Sequence, residues 1–213
     1  DQVNEIHQSL MVLKEKADKY SRHEKLFNYE QGSCRVLSKV LEEFNPLYVL
    51  WNLASEWLNQ HTTWMDTTFV SVKPDVMANF IGNATKKIAR LRRDMAEHPK
   101  LVEKVLQPLS EQIDSFKLHI PLISKLRHPG IKKNHWEQIT KVVGFDIPPP
   151  SEMTLQMFLD LDLERWATQI SEIAGVASQE HYIESSLDQM EVELASLKFI
   201  TQEFNNTGTY ILV

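Results

Sequence analysis

The stretch LRHPGIKKNHWEQITKVVGFDI, from Leu126 to Ile147, decides how we expect the chain to fold. It holds the only Pro-Gly pair in the sequence, Pro129-Gly130, which predicts the end of a long helix. Gly144, followed by Phe145, predicts a second helix end. Between the two ends the sequence predicts a short helix that crosses the long one. We call residues 126–147 the corner.

The short helix of the corner is predicted over residues 135–143, with Asn134 as its N-cap. Trp136, Ile139 and Val143 follow one another at steps of three and four, so they are predicted to share a buried face. We therefore expect Trp136 to be buried where the helix before the corner meets the helix after it. The neighbouring histidine is expected to make a structural hydrogen bond.

Composition limits the class of protein. The chain has 213 residues and only 6 glycines, too little turn material for a many-stranded β protein. A net charge of −6 argues against a nucleic-acid-binding surface, and no apolar run approaches the roughly 20 residues of a membrane span. The single cysteine, Cys34, cannot form an internal disulfide and indicates a reducing compartment. These features predict an all-α protein without nucleic-acid or membrane partners.

Apolar residues at steps of three and four predict amphipathic helices along most of the chain. Pro46 is expected to separate two helices, and Pro108 and Pro121 to kink or divide another. Kinked helices of this kind suit an elongated stack of helical bundles. Thr209 to Val213 is predicted to be a short strand or edge segment. The helices are predicted at residues 3–27, 34–44, 47–65, 74–97, 100–126, 135–143, 155–161, 163–177 and 178–204.

Two groups of basic residues are candidates for docking on an acidic protein surface. The densest cluster lies on the helix that Pro74 opens, and most such clusters are simply solvated helix faces. The second group lies in the loop of the corner. The candidate docking residues are Lys86, Lys87, Arg90, Arg93, Arg127, Lys132 and Lys133, and the candidate structural residues are Trp51, Pro129 and Trp136.

Motifs for catalysis or cofactor binding are missing from the sequence. No glycine precedes a lysine, so no phosphate-binding loop of the G-x-x-x-x-G-K-[ST] type can be drawn. The 8 histidines are scattered, without an H-E-x-x-H pair or clustered carboxylates. We therefore predict no catalytic, cofactor or metal site in this chain, and we expect both ends to be cut from a longer polypeptide.

The corner resembles the linker region of dynein heavy chains, which carries an L-x-x-P-x-[LI]-x-x-x-H-W-x-x-[IL] block followed by a short loop. The matching residues are Leu126, Pro129, Ile131, His135, Trp136 and Ile139. Phe145-Asp146 and the Gly208-Thr209-Tyr210 run look closer to axonemal than to cytoplasmic dyneins. The resemblance extends over residues 45–51, 153–163, 170–177, 187–204 and 206–212, and so over most of residues 47–213.

This resemblance implies a mechanical role without catalysis. A dynein linker lies across a ring of AAA+ modules and changes between bent and straight forms as the ring turns over ATP. It implies that residues 1–45 are the neck or linker entry and residues 46–213 the distal part of the linker. ATP and Mg would belong to the ring, and the microtubule would be an indirect partner. Intermediate or light chains would bind near the N-terminus. The protein would be located in the cytoplasm and cytoskeleton, in the axoneme of a cilium or flagellum.

A second interpretation is a static scaffold. A spectrin-like or tethering helical bundle would show the same apolar stripes and would bind a protein partner without moving. A strict repeat of about 100 residues would favour it, and the sequence shows none.

Overall fold

The structure is a computed structural model that describes residues 2–28, 34–196, 201–203, 205 and 208–212. Helices dominate this part of the chain, and a short hairpin of two strands follows them. Helices α1 to α8 span Gln2–Leu26, Arg35–Asp66, Pro74–Asp94, Pro99–Leu101, Gln107–Leu126, Lys133–Val143, Leu155–Asp160 and Ala167–Ser196. Strands β1 and β2 are Thr201–Glu203 and Tyr210–Leu212, and short 3-10 or π turns occupy Phe69–Ser71, Val102–Leu106 and Leu163–Trp166.

The all-α class and the short C-terminal strand are confirmed, while the kinked helices and the elongated stack stay predictions. β1 and β2 pair antiparallel, with Thr201 opposite Leu212. The strand at 201–203 contradicts the helix predicted up to residue 204. Asn205 and Gly208 both have positive φ, 49° and 71°, and such residues turn the chain back on itself and give β2 a partner. Residues 29–33, which lie between the first two predicted helices, and residues 197–200 and 204 of the last predicted helix are outside the described residues.

The helix break predicted at Pro46 is wrong, because α2 continues through it as one helix of 32 residues. An internal proline removes one backbone hydrogen bond, and packing on both sides offsets that loss. The helix contacts α1, and just after Pro46 the rings of His7 and Tyr48 stack 3.7 Å apart. One turn further on, Leu50 and Leu53 are each only 1% exposed.

An aromatic cluster forms the core beside the second half of α2. Trp57 meets Phe116 edge to face at 5.7 Å, and Trp64 stacks on the same phenyl ring at 5.6 Å. The indole Nε1 of Trp57 donates to Gln112 Oε1 over 3.1 Å. His61 lies between Trp57 and Phe116, and burial lowers the pKa of its imidazole. Trp51, one of the candidate structural residues, is half exposed.

Pro108 divides the helix in which it lies, as predicted. Its nitrogen cannot donate to the carbonyl of residue 104, and the chain makes a wide π turn over Val102–Leu106 before α5 begins. The N–H of Gln107 accordingly bonds to Val102 O, five residues back. Pro121 remains inside α5.

The link between α2 and α3 holds α7 in place. The segment Thr67–Val72, which lies between two predicted helices, contains the 3-10 turn at Phe69–Ser71. Phe69 N donates to Met153 O over 2.7 Å, and the amide of Leu155 donates to Thr67 O over 3.0 Å. The rings of Phe69 and Phe158 stack 4.5 Å apart beneath these bonds.

The helix end predicted at residue 177 is also wrong, because α8 runs unbroken for 30 residues and contains Gly175 in its interior. Glycine inside a helix costs only about 1 kcal/mol relative to alanine, which the buried residues Ile170, Ala174 and Ala177 offset. The chain forms two compact units, residues 1–124 with 148–162 and residues 125–147 with 163–213. Among the described helices none is long and apolar enough to cross a bilayer.

Candidate functional site

The first group of candidate docking residues lies along the exposed side of α3, opposite its buried stripe. Met77, Ile81, Ala84, Ile88 and Leu91 fill the buried side. The stripe repeats at steps of three and four, and the positions between its members are left to solvent. The exposed basic residues are Lys86, Lys87, Arg90, Arg92 and Arg93.

Part of this positive charge is already paired within the first unit. Lys87 Nζ lies 3.3 Å from Glu56 Oε2, and Arg90 Nε lies 3.4 Å from Asp94 Oδ2. Both pairs are substantially exposed, so each contributes no more than about 1 kcal/mol. Lys86 and Arg93 show no ion pair with any residue in the described ranges. They are the residues of α3 whose charge is most available to a partner.

The second group lies at the corner, in the other compact unit. The Nζ of Lys132 contacts Glu184 Oε1 on α8, which lowers the pKa of that carboxyl. Arg127 is half-buried, while Lys133 is exposed at the start of α6. Among these three, Lys132 therefore serves the internal packing of the corner, and Lys133 is the most accessible.

Gly130 lets the corner approach α8 closely. A Cβ on this buried residue would lie 2.4 Å from Ala177 O and 2.8 Å from His181 Cβ. Such distances are well inside van der Waals contact, so no other residue fits without moving the backbone. The glycine of the Pro-Gly pair is required for packing as much as for ending α5.

His135 holds the start of α6. Its Nδ1 accepts the backbone N–H of Lys132 over 3.1 Å, which satisfies one of the donors that helix formation leaves free. Because Nδ1 is an acceptor, the neutral ring carries its proton on Nε2. That nitrogen lies 3.2 Å from Glu180 Oε2 on α8, in a geometry misaligned for a hydrogen bond. The side chain is only 1% exposed.

His128 closes the turn between α5 and α6 in a similar way. Its Nδ1 accepts the N–H of Gly130 over 3.1 Å, and its Nε2 lies 3.4 Å from Ser178 Oγ. The ring meets His181 edge to face at 5.6 Å. The corner is thus fastened to α8 by two histidines and one lysine on one side and by a serine and two glutamates on the other.

Three details of the predicted corner are wrong. Trp136 is half-buried, and the fully buried side chains of α6 are His135, Ile139 and Val143. The N-cap is Lys132 rather than Asn134, because His135 supplies the cap bond from inside the helix. α6 packs on α8 rather than at a junction with α7. The end predicted at Gly144 is confirmed, with φ of 83°, and Pro129 is exposed.

The sequence contained a signal for His135 that the apolar pattern hid. Residues 135, 139 and 143 follow one another at steps of four and so lie along one row of the helix, as buried residues on a short helix often do. The row starting at Trp136 shares the same two aliphatic residues and begins with a more hydrophobic side chain. The roles of Gly130, Glu180 and Glu184 carried no comparable signal, since each depends on contact with a distant part of the chain.

The arrangement at the corner has the properties of a structural joint. Within the described ranges, no group of three or more histidine, cysteine, aspartate or glutamate side chains is placed to hold a metal ion. Cys34 is an exposed free thiol. The polar contacts found here pair one side chain with one partner across two packed helices, which fixes their register.

The sequence of this joint and of the helices around it matches a known family. Residues 37–213 match the family described as Dynein heavy chain, N-terminal region 2. The chain belongs to the dynein heavy chain family. The match includes the corner, both helices packed there and the basic side of α3.

Axonemal dynein heavy chains are among the relatives. Dynein axonemal heavy chain 1 of Rattus norvegicus is 29% identical over 212 residues, 100% of this chain and 5% of that protein. The protein of the same name from Homo sapiens is also 29% identical over 212 residues, with the same coverage. The Dynein-1-beta heavy chain, flagellar inner arm I1 complex, of Chlamydomonas reinhardtii is 26% identical over 183 residues, 85% of this chain and 4% of that protein. The chain thus spans about one twentieth of these dynein heavy chains.

Proposed function

We propose that this chain is a mechanical element of a dynein motor, the distal part of the linker that moves against the AAA+ ring during ATP turnover. The match to the N-terminal region of dynein heavy chains over residues 37–213 supports this proposal most strongly. In this proposal residues 1–45 form the neck or linker entry and residues 46–213 the linker proper. The chain performs no chemistry, and ATP and Mg act in the ring.

Two features of the helices suit a lever. α2 and α8 have 32 and 30 residues, so each is a rod of about 45 Å or more at 1.5 Å per residue. Unbroken helices of this length transmit force with little bending. The joint at the corner, with Gly130 against Ala177 and His135 against Glu180, keeps α6 in register with α8.

The exposed basic residues of α3 are proposed to dock on an acidic surface of the AAA+ ring in one state of the lever. Lys86 and Arg93 have no ion pair with the described residues, so they offer charge that internal contacts do not use. A docked and an undocked state must differ by only a few kcal/mol for ATP turnover to switch them. A few exposed ion pairs supply free energies of this size.

The test is reversal of these two charges in the heavy chain that contains the segment. Lys86→Glu with Arg93→Glu replaces two attractions by two repulsions, which should weaken docking by about 1–2 kcal/mol. A shift of that size changes the docking equilibrium about tenfold. Microtubule gliding velocity should fall, while binding of the motor to microtubules without ATP should not change.

The matched control is Lys100→Glu with Lys117→Glu, which changes the net charge equally at two exposed lysines away from α3. This variant should glide like the unaltered motor. If the α3 variant also glides at the unaltered velocity, the proposed docking role of α3 is wrong.

The partners and location follow from the family as further parts of the proposal. The nearest partner is the AAA+ ring of the same heavy chain, and microtubules are reached only through the rest of the motor. Intermediate or light chains would bind near α1. The axonemal names of the relatives support a place in the axoneme of a cilium or flagellum.

A further inference from the structure

Among the described residues, the second half of α8 (residues 178–196) contacts the corner at its start, through Ser178, Glu180, His181 and Glu184, and residues 185–196 form no hydrogen bond or ion pair with another element. Buried residues of this helix end at Ala177, and none of residues 178–196 is buried. This half is about 28 Å long at 1.5 Å per residue. Twelve of these residues lie beyond Glu184, and a helix end of that length gains little stability by itself in water, so a partner outside the described residues would stabilise it further.

An apolar stripe runs along this half of α8. Ile183, Leu187, Met190 and Leu194 follow one another at steps of four, three and four, and between 57% and 64% of each side chain is exposed. This is the spacing by which one helix packs along another. The stripe lies on the side of α8 away from Ala174 and Ala177, which pack inward.

The charges beside the stripe have one sign. From Gln179 to Ser196 the sequence contains five acidic residues and no lysine or arginine. Glu180 and Glu184 already face His135 and Lys132 at the corner. Glu191 and Glu193 flank the stripe, are exposed and have no ion pair with the described residues. Their charge therefore favours a partner with lysine or arginine beside its own apolar stripe.

We propose that the second half of α8 is the docking surface for an amphipathic helix with basic flanks, supplied by a part of the same heavy chain outside residues 1–213. The chain spans 5% of the relatives it matches, so most of such a heavy chain lies outside this segment. A helix in the same polypeptide binds at an effective concentration in the millimolar range, which a separate chain rarely reaches. The inference rests on the proposed function only in placing the segment within a longer heavy chain. It does not require the lever to move.

The test compares thiol labelling of one position in two contexts. Leu187→Cys is introduced, together with Cys34→Ser, into the 213-residue chain and into the full heavy chain without nucleotide. Labelling by a maleimide is followed on the peptide that contains residue 187, by mass spectrometry. In the heavy chain the labelling rate should be at least about tenfold lower than in the 213-residue chain, since the docked helix must open first.

Gln189→Cys is the matched control on the same helix. At about 100° per residue it points roughly 200° away from Leu187, and it is exposed. It should react at the same rate in both contexts. Met190→Cys repeats the test within the stripe, and circular dichroism checks that each variant keeps its helix content.

Further variants test whether the acidic residues beside the stripe favour a basic partner. Glu191→Lys with Glu193→Lys should restore labelling of Leu187→Cys in the heavy chain by about tenfold, because it places like charges against the partner's flanks. Ser185→Lys adds positive charge on the opposite side, away from Glu191 and Glu193, and should leave labelling slow. Fast labelling in both the double variant and this control would overturn the charge assignment.

Three results would overturn the proposal. Equal labelling of Leu187→Cys in both contexts would show that nothing covers the stripe. Slow labelling in the 213-residue chain, with a dimer mass by light scattering, would assign the stripe to a second copy. Protection that appears only when other subunits are added to the heavy chain would assign it to a separate polypeptide. A motor that glides normally in all these variants leaves the lever proposal untouched.

Discussion

At the scale of single residues, the packing around Gly130 leaves no room for a side chain. The backbone of this glycine passes so close to α8 that a methyl group would overlap the carbonyl of Ala177. Gly130→Ala should lower the free energy of unfolding by about 1–3 kcal/mol, the usual cost of overpacking. Urea denaturation of the 213-residue chain, followed by circular dichroism, measures this.

Gly82→Ala is the control for that substitution. Gly82 lies inside α3 and is exposed, and a Cβ there would meet nothing within 4 Å. Alanine is the better helix former, so this variant should be stabilised by about 0.5–1 kcal/mol. Equal effects of the two substitutions would mean that the close approach of the corner to α8 is misplaced.

The same scale shows why the buried residue of α6 was misidentified from the sequence. Ile139 and Val143 belong to two possible rows, one starting at Trp136 and one at His135. Hydrophobicity favours the tryptophan. Burial of the imidazole is offset by the bond from the Lys132 amide and by Glu180 on α8, and only the second partner is distant in sequence. The periodicity of apolar residues predicted the helix and its two buried aliphatic residues, but it could not identify the third buried residue, His135.

At the scale of elements, the prolines decide how many helices the chain has. Pro108 lies after a π turn that absorbs its missing hydrogen bond, whereas Pro46 lies inside a continuous α2. The two sequence contexts look alike, because both prolines stand within an amphipathic pattern. Packing against α1 on one side and the aromatic core on the other keeps α2 whole, and such packing is not visible in a local pattern.

Pro46→Ala tests that continuity. If α2 is one helix, alanine restores the N–H that bonds to the carbonyl of Glu42 and removes the clash of the ring. The free energy of unfolding should then rise by about 1–3 kcal/mol. Thermal and urea unfolding of the two proteins give this difference.

Pro74→Ala is the matched control, since Pro74 lies in the first turn of α3, where proline is favourable. It should leave stability unchanged or slightly lower it. A Pro46→Ala variant that behaves like Pro74→Ala would show that a new helix starts at Pro46, as the sequence alone suggested.

At the scale of the whole molecule, local patterns in the sequence predict the helical class, and an ordered set of residues spread along the chain predicts the family. The helical class, the positions of most helices and the C-terminal strand follow from periodicity and turn residues. The family follows from an ordered set of residues, including Pro129 and His135, that no single short motif defines, and the match over residues 37–213 confirms it. The contacts of Glu180 and Glu184 and the exposed stripe of α8 could not be predicted, because they depend on which faces find partners.

The central claim is that this segment moves as a lever within a dynein heavy chain. Energy transfer between two dyes tests it most directly, one at Asn4→Cys on the exposed side of α1 and one at a fixed position in the AAA+ ring of the intact motor. The lever predicts two transfer efficiencies, one without nucleotide and another during ATP turnover, with both populations visible in single molecules. One unchanged efficiency in every nucleotide state would contradict it and would favour a static scaffold.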